Sequence, residues 1–386
     1  MPNISNGINI ALQAVLANSR AIETVEHNVA NASTEGYRRQ QAIFSATTPT
    51  YGTGSGVIIK QIQRFNLEFF DNRYRSASAA TSNYSAQQSV LAQVEATLGE
   101  TTANGLVNKL DQFWSDWSGL SNDPSNMALR DNLLDDSRSL AEGISQRWTQ
   151  LTQLRRDQNL TIEQRVKDVN DLADEVARLN GEISRVISVG EQPNDLLDKR
   201  DLALDQLAKL SGATSTLQAN NEVVVSIGGH VLVTGNDALH LTTQPNPADT
   251  SVSQVVWEAD PTHMLNATSG ELKGLLEVRD TTIPDLIDGL NQLAVNLRDQ
   301  VNAIHATGHG IDAADSTGLA FFTGTGASDI AVNAGLTAEQ IGLSSATAQN
   351  GNGDIANAML ALRDSKVMNG GTNTLNEFYN GQVTRL

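Results

Sequence analysis

The region of residues 125–189 constrains the fold of this chain most, because it carries a heptad pattern and contains no proline. Its second half repeats apolar residues every seven positions, in two series: Val169, Val176 and Ile183, and Leu172, Leu179 and Val186. One continuous helix of this length extends roughly 95 Å at 1.5 Å per residue. A single amphipathic helix cannot bury its own apolar face, so the pattern predicts at least one long partner helix. Pro193 is expected to end the long helix.

Further helical patterns supply candidate partners. Helix is predicted to resume at Gly270, and a strongly amphipathic segment follows with these apolar positions: Leu286, Leu290, Leu293, Leu297, Val301 and Ile304. Shorter helices are predicted at residues 77–98, 106–120 and 194–210. The segment 106–120 carries Phe113, Trp114 and Trp117.

The pattern changes from helix to strand after residue 212. Residues 222–227 and 230–234 are β-rich runs separated by Gly228-Gly229, which is a hairpin signal. Further strands are predicted at 239–243 and 252–257, with a loop between them at 244–249.

The predicted fold class is therefore mainly α with an inserted β module. We expect an elongated, multi-domain chain with a long helical bundle, a small all-β domain and an N-terminal amphipathic helix. The predicted segments are an axial helix and extended stretch (1–65), a long-helix bundle (66–212), the β module (213–264), returning bundle helices (265–306), a Gly/Ala/Thr-rich β or loop segment (307–350) and a C-terminal helical segment (351–386).

The N-terminal segment predicts an amphipathic helix that ends near Asn31. Its apolar residues follow a heptad-like pattern and form the expected subunit interface: Ile4, Ile8, Leu12, Val15, Ile22, Val25 and Val29. Such a stripe usually belongs to the core of its own molecule. This helix, however, is terminal, and an extended stretch with a Gly-rich turn follows it at residues 37–65. We therefore expect it to be poorly ordered alone and to order against neighbouring subunits.

Charge and composition argue against several classes of function. The net charge of −18 repels phosphate backbones and anionic membrane surfaces, so neither nucleic acid nor a membrane is an expected partner. The lack of cysteine removes disulfides, thiolate nucleophiles and cysteine metal sites. No stretch approaches the roughly 20 apolar residues that span a bilayer. Residues 1–30 lack the pattern of a cleaved secretory signal.

Two short motifs invite a metal-binding interpretation. His305 and His309 have the spacing of a helical metal pair, but Ala306 stands where a metalloprotease has glutamate, and a turn is favoured. Residues 350–354 resemble the opening of a calcium loop. Ile355 and Ala361 occupy the positions where that loop needs glycine and glutamate, so a plain loop is favoured.

Nucleotide binding and acid–base catalysis have no support from residue spacing. Gly52, Gly54 and Gly56 fit neither nucleotide-binding glycine pattern and predict a hairpin turn instead. Most carboxylates lie on predicted polar helix faces, and nothing isolates two of them in an apolar pocket. We therefore predict no catalytic residue, no metal site and no cofactor.

Residues 28–40 resemble the N-terminal signature of bacterial flagellar axial proteins. The positions that carry this signature are Asn28, Asn31, Ala32, Gly36 and Tyr37. Its physical content is a helix end with amide caps, a glycine turn and an aromatic residue on the following strand. Glu35 stands where these proteins commonly have proline, but the glycine turn is kept.

Three further stretches are similar to the hook-associated protein 1 family in particular. They are residues 194–201, residues 270–280 with their continuation to 302–305, and residues 375–379. They occur in the order of that family, and on them the chain is identified as a member.

The resemblance implies a structural subunit that joins the flagellar hook to the filament, and not an enzyme. Its implied partners are further copies of itself in a ring, the hook protein, the third hook-associated protein, and the flagellar export apparatus with its chaperone. It also implies type III export to the extracellular flagellum. Family members normally finish with a long C-terminal helix that pairs with the N-terminal one. We therefore expect this chain to be truncated at Leu386, with the chaperone site in the missing part.

Two alternatives stay open from the sequence. One is another axial component, a hook or distal-rod protein, for which a shorter helical domain and a larger β domain are expected. The other is a secreted peptidoglycan hydrolase on an axial scaffold, for which a convergent carboxylate pair in a cleft is expected.

Overall fold

The computed structural model describes residues 4–48, 54, 56–100 and 104–385. The helices are α1 (Ile4–Ala30), α2 (Glu68–Leu98), α3 (Leu106–Asn122), α4 (Met127–Ser188), α5 (Asn194–Ser211), α6 (Gly270–Glu277), α7 (Ile283–His305), α8 (Asp354–Asp364) and α9 (Leu375–Val383). The strands are β1 (Gln40–Ala46), β2 (Val57–Arg64), β3 (Thr214–Leu217), β4 (Val223–Ile227), β5 (His230–Thr234), β6 (Asp237–Ala238), β7 (Leu241–Asn246), β8 (Asp249–Trp257), β9 (Asp260–Met264), β10 (Phe322–Thr323) and β11 (Ala331–Val332). A π-helical turn, Val278–Thr282, joins α6 to α7. This order confirms the prediction of a mainly α fold with inserted strands.

The chain forms two compact units. The first comprises Met1–Ala86 and Thr161–Leu275, and the second comprises Gln87–Leu160 and Leu276–Leu386. Whether the six segments proposed from the sequence fold as separate domains stays a prediction.

The predicted long helix is present as α4, and its heptad residues include four with no accessible surface: Val169, Val176, Leu179 and Ile183. The prediction that Pro193 ends it is wrong. The helix ends at Ser188, because Gly190 adopts a φ of +84° and donates its N–H to the Ile187 carbonyl at 2.9 Å. Pro193 instead precedes α5, where its carbonyl accepts the Leu197 N–H at 3.0 Å.

Helix α2 begins at Glu68, earlier than the predicted start at residue 77. The Leu67 carbonyl accepts the N–H groups of Phe70 and Asp71 at 2.8 and 3.1 Å, which closes the first turn. Glu68 and Asp71 lie in that turn, where negative charge is favourable. The sequence shows helical patterns from Leu67 onward, and only the start of one continuous helix was placed too late.

The sheets of the first unit are antiparallel. Strands β1 and β2 form a hairpin, β3-β4-β5-β6 form a four-stranded sheet, and β7-β8-β9 form a three-stranded sheet. The predicted loop at 244–249 is wrong, because β7 continues to Asn246 and Pro245 pairs with Ser253 of β8. Proline is tolerated there because β7 is an edge strand, where no neighbour needs its missing N–H.

The β strands that follow α5 form a segment whose two ends are adjacent. Gly212 lies at its start and Gly270 at its end. Both have positive φ, +69° and +85°. A β-carbon on Gly212 would lie 2.6 Å from the Ser269 carbonyl oxygen, and one on Gly270 would lie 2.4 Å from the Gly212 nitrogen. Two backbone segments therefore meet with no room for a side chain between them.

A buried amide holds the strands against α4. Asn180 donates to the carbonyls of Val223 and Gly235 at 2.9 and 2.8 Å, and its Oδ1 accepts from the Val223 N–H and from Arg200 at 3.1 Å each. Every polar atom of this side chain is bonded, so its complete burial leaves no desolvated group unpaired.

An aromatic cluster forms the core of the second unit. Its rings approach edge-on or tilted at centroid separations from 4.8 to 6.3 Å and belong to Phe113, Trp114, Trp117, Phe321 and Phe322. Each of these side chains is at most 1% exposed. The three aromatic residues of α3 that stood out in the sequence are thus core residues.

Candidate subunit interface

Helix α1 has two different apolar faces. The face that packs on the β1–β2 hairpin carries small side chains, namely Ala14, Ala17, Ala21, Thr24 and Asn28. Ala17 and Thr24 are only 6% exposed. We call this set the small face. Short side chains let the helix axis approach the hairpin closely, and the half-buried Ile10 is the one large aliphatic residue of α1 on this side.

The second face of α1 is exposed and aliphatic. Its members, with the exposed fraction of each, are Ile4 (82%), Ile8 (62%), Leu12 (54%), Val15 (64%), Leu16 (61%), Ile22 (59%), Val25 (58%) and Val29 (72%). We call this set the aliphatic face. It contains all seven residues expected at the interface. It also contains Leu16, which was not predicted because it lies outside the seven-residue pattern. Exposed apolar surfaces of this extent are typical of interaction sites in proteins.

The expected disorder of the N-terminal segment differs from the structure. The segment is helical from Ile4 and is already docked through the small face. The aliphatic face stays exposed after this docking, because the two faces lie on different sides of the helix.

The end of α1 is fixed by the side chain of Asn28. Its Nδ2 donates to the Gln40 carbonyl and its Oδ1 accepts the Gln40 N–H, both at 2.8 Å. The Tyr37 hydroxyl also donates to Asn28 Oδ1 at 2.8 Å and lies 3.0 Å from His27 Nδ1. These contacts join the helix to the first residue of β1 and explain why an amide and a tyrosine stand at these two signature positions.

The remaining signature residues build the turn itself. Asn31 donates to the His27 carbonyl at 3.0 Å and accepts the Thr34 hydroxyl at 3.2 Å. Ala32 is exposed in the turn. Gly36 adopts a φ of +78°, and a β-carbon there would lie 3.0 Å from Leu202 on α5. Glycine is therefore required both by the backbone conformation and by the close approach of α5.

A network of arginines and aspartates fastens this turn and the hairpin to α5. Arg64 on β2 bonds Asp198 and Asp201 at 2.8 and 2.7 Å. Arg38 donates its backbone N–H to Asp198 at 3.0 Å. The network also contains Asp71, bonded to Arg38 at 2.6 Å, and Asp205, bonded to Arg75 at 2.6 Å. These contacts thus join the signature turn to residues 194–201 of the chain.

The charges of this network are taken out of water. Burial raises the pKa of Asp198, and bonds from Arg38 and Arg64 oppose that rise only in part. Burial also lowers the pKa of the neighbouring Arg200 to about 10. Removing one partner therefore leaves a buried charge uncompensated. The network was not predicted from the sequence, because the ion pairs that reach α5 join residues more than 120 positions apart along the chain.

The motifs considered for metal or nucleotide binding have structural roles or fall outside the described residues. His305 Nδ1 lies 2.7 Å from the Leu319 carbonyl, and its Nε2 accepts the Gly342 N–H at 3.1 Å, so both ring nitrogens are engaged. Asp354 accepts bonds from the backbone and hydroxyl of Ser345. Gly52 lies outside the described residues. Within the described part, no group of three or more His, Cys, Asp or Glu side chains is placed to hold a metal ion.

One pair of carboxyl groups stands out in the second unit. The carboxyl groups of Asp116 on α3 and Asp136 on α4 lie next to each other, and Gln112 donates to Asp116 Oδ1 at 2.9 Å. Burial, and next the bond and charge of Asp136, raise the pKa of Asp116 to about 7. The sequence analysis expected no such pair, because it could not show which faces of two helices meet. Protonation of Asp116 removes the repulsion between the two carboxylates at this contact of α3 with α4.

Comparison with known proteins decides the family. The family model for the flagellar hook-associated protein FlgK helical domain matches residues 91–322, more than half of the chain. The chain belongs to the FlgK family. This confirms the family expected from the resemblance, and the FlgK match includes the α3–α4 pair and the long helix.

Characterised members of the FlgK family align over most of the chain. The flagellar hook-associated protein 1 of Salmonella typhimurium strain LT2 is 30% identical over 338 residues, which cover 83% of this chain and 60% of the relative. The protein of the same name from Escherichia coli strain K12 is 28% identical over 337 residues, with the same coverage. That of Bacillus subtilis strain 168 is 31% identical over 241 residues, covering 57% of this chain and 48% of the relative.

A solved FlgK structure has a similar fold. The flagellar hook junction protein FlgK from Burkholderia pseudomallei superposes with a TM-score of 0.59 at 28% identity, over 65% of this chain and 46% of that chain. The chain spans about 60% of the length of the Salmonella and Escherichia relatives. Among the described helices, none combines the length and apolar character that crossing a bilayer requires.

Proposed function

We propose that this FlgK-family chain is a structural subunit that joins the flagellar hook to the filament and polymerises through the aliphatic face of α1. One observation carries the proposal. The eight side chains of the aliphatic face are more than half exposed, although the same helix is docked on its own hairpin through the small face. A lone molecule gains nothing from this arrangement, whereas an assembly buries the exposed face.

The free energy available from burying the aliphatic face favours many repeated contacts between subunits over a single strong contact. Each large aliphatic side chain buried contributes roughly 1–3 kcal/mol before the cost of association. The buried Arg64–Asp198 and Arg64–Asp201 pairs join the hairpin, on which α1 packs, to α5. Force on α1 would therefore pass through the hairpin and these ion pairs to α5. Helix α4 supplies stiffness along its length.

The partners follow from the proposed role. They are further copies of this chain in a ring, the hook protein on one side and the third hook-associated protein on the other. Export through the flagellar type III apparatus with its chaperone would deliver the chain to the extracellular flagellum. The names of the relatives, which describe hook-associated proteins, support this role, and we propose no catalytic activity.

The alternative of another axial component has less support. A hook or distal-rod protein is expected to have a shorter helical domain, whereas α4 runs for 62 residues. The relatives named as hook-associated protein 1 align across 83% of the chain.

The experiment replaces two central residues of the aliphatic face, Val15 and Ile22, with aspartate. Burying two carboxylates in an apolar contact is prohibitive, so hook–filament junctions should fail to form and cells carrying the variant should lose motility. Secretion of the variant into the medium and its circular dichroism spectrum should remain normal.

The matched control is Arg20→Asp. It changes the charge of α1 by the same amount but lies outside the aliphatic face, and it should leave junctions intact. Normal junctions with the double aspartate variant would refute the proposed function.

A further inference from the structure

Two imidazole rings lie side by side on the surface of the β strands that follow α5. His230 is the first residue of β5, and His263 lies in β9. Both residues are exposed, and their ring centroids are 5.3 Å apart with an angle of 56° between the ring planes. No spacing pattern in the sequence links these two residues. The fold brings them together, because β5 and β9 belong to different sheets.

The backbone holds the two rings next to each other. Gly228, in the turn between β4 and β5, has a φ of +55°, and a side chain there would overlap the Asn266 carbonyl oxygen. The turn before His230 is therefore in direct contact with the segment that follows β9. The buried Trp257 ring also packs against His230, with ring centroids 5.6 Å apart. Both histidines thus project from backbone whose position is fixed, as a preformed binding site requires.

The carboxylate of Asp260 fixes the tautomer of His263. Asp260 Oδ2 lies 2.5 Å from His263 Nδ1, and Asp260 Oδ1 accepts the backbone N–H and the hydroxyl of Thr262 at 3.1 and 2.6 Å. The bond from the Thr262 hydroxyl, and next that from His263, lower the pKa of Asp260, so its carboxylate is charged and can only accept. His263 Nδ1 is therefore the donor. In the neutral ring the lone pair is then on Nε2, where a cation can bind.

We propose that His230 and His263 form a binding site for a divalent transition-metal ion such as Zn²⁺ or Ni²⁺. One nitrogen of each imidazole binds the ion, water molecules complete the coordination, and Asp260 positions the His263 ring. Imidazole is a preferred ligand of these ions, whereas Mg²⁺ and Ca²⁺ prefer oxygen ligands. A histidine ligand that donates its other ring N–H to a carboxylate is the usual arrangement at such sites. The site does not depend on the role proposed for the aliphatic face.

The separation of the two rings fits a tetrahedral ion. A zinc–nitrogen bond is about 2.0–2.1 Å long, so the centre of each bound imidazole lies roughly 3.2 Å from the metal. At a tetrahedral angle of about 109°, two such ring centres are about 5.2 Å apart. The separation of 5.3 Å between His230 and His263 therefore needs no movement of either strand. Rotation about the side-chain bonds is enough to direct both nitrogens at the ion.

The charge of the surrounding strands favours a cation. Residues 213–264 contain no lysine or arginine, and they carry five acidic residues: Glu222, Asp237, Asp249, Glu258 and Asp260. A divalent ion is therefore attracted to this segment, and no ammonium or guanidinium group of the segment repels it. Two protein ligands make the site weaker than a structural zinc site, which has four.

A bound ion would link two sheets. His230 belongs to the β3-β4-β5-β6 sheet, and His263 belongs to the β7-β8-β9 sheet. The two histidines are adjacent only when both sheets are folded, so the ion binds the folded strands and not the unfolded chain. A ligand that binds only the folded state stabilises that state as its concentration rises. Zn²⁺ or Ni²⁺ should therefore stabilise these strands.

The test is a titration of the untagged full chain with Ni²⁺, measured by isothermal calorimetry and by tryptophan fluorescence. We expect one ion to bind per chain and to quench the emission of Trp257, because that ring packs against His230. His230→Ala and His263→Ala should each abolish saturable binding. Asp260→Asn should weaken binding by about tenfold, because a neutral amide polarises the His263 ring less than a carboxylate does.

The matched control is His240→Ala. His240 lies in the same segment, but its Nε2 bonds Asp174 at 2.9 Å and it is not part of the pair. This variant should bind Ni²⁺ as the unaltered chain does, and Mg²⁺ at the same concentration should not bind. Circular dichroism should show normal folding of every variant, since the replaced side chains are exposed or half-buried at the surface.

Three results would overturn the inference. They are no saturable Ni²⁺ binding by the unaltered chain, unchanged binding in both His230→Ala and His263→Ala, and equal weakening by His240→Ala and His263→Ala. The last would show unspecific binding to surface histidines. Thermal melting gives a second measurement. A melting temperature that rises with Ni²⁺ in the unaltered chain and stays constant in His263→Ala supports the site, and an equal rise in both proteins contradicts it.

Discussion

The side chain of Asn28 bonds both backbone groups of Gln40, donating to its carbonyl and accepting its N–H at 2.8 Å each. Asn28 lies near the end of α1 and Gln40 begins β1. The Asn28 side-chain amide therefore fixes the position beside α1 at which β1 begins. Aspartate or alanine cannot reproduce it, because the pairing needs a donor and an acceptor on one planar group.

We predict that Asn28→Ala destabilises the junction of α1 with the hairpin by about 2–3 kcal/mol, because two backbone groups and the Tyr37 hydroxyl lose a partner. Hydrogen exchange should show faster exchange of the amides in α1 and β1. Asn18→Ala is the control, since Asn18 bonds only the Ala14 carbonyl at an exposed position. Equal protection in the two variants would refute the assigned role of Asn28.

The ion network should show strong coupling between Arg64 and Asp198. Replacing Arg64 with methionine leaves two aspartates without that partner and should cost about 3–5 kcal/mol of unfolding free energy. Asp198→Asn should also destabilise, and the double variant should lose less than the sum of the two. Urea unfolding of the four proteins measures this cycle.

The control for the cycle is Arg138→Met. Arg138 bonds Asp135 at 2.7 Å on an exposed helix surface, where such pairs contribute at most about 1 kcal/mol. A cost for Arg64→Met as small as that of the control would mean that the buried network does not hold α5 to the hairpin.

The Asp116–Asp136 pair should make stability depend on pH. The pKa of Asp116 is about 7 in the folded chain and 3.8 for an ordinary aspartate, so between these values the folded state keeps a proton that the unfolded state has lost. This group therefore contributes stability at low pH that is lost as pH rises from about 4 to about 7.

We predict that Asp116→Asn removes this part of the pH dependence and raises the melting temperature at pH 8, since no charge is then buried beside Asp136. Thermal melts from pH 5 to pH 8 measure both effects. Asp135→Asn, at an exposed neighbouring position, should leave the pH profile unchanged. An unaltered slope for Asp116→Asn would show that Asp116 does not hold a proton in the folded chain between these pH values.

Periodic features were predictable from the sequence, because they depend only on local spacing. The heptads of α4 identified a helix whose ends were placed within two residues, and all seven aliphatic residues expected on α1 are exposed. Leu16 was missed because it lies outside the seven-residue count. The loop at 244–249 was wrong because Pro245 was taken as a breaker, and only the topology reveals that β7 is an edge strand.

Features that depend on chain topology could not be derived in this way. Arg64 pairs with residues more than 130 positions away, and no local pattern signals which arginine meets which aspartate. A charge count over residues 194–205 offered one available signal, since four aspartates on a largely buried helix need cationic partners.

Gly212 and Gly270 face each other without space for a side chain between them. Strands β3 to β9 thus form an insertion whose two ends are adjacent. The end of α5 and the start of α6 therefore keep the same relative position whatever the length of the insertion. Evolution can enlarge, shrink or replace this insert while the helices keep their register. Differences in length and sequence among relatives are therefore expected to concentrate between these two glycines.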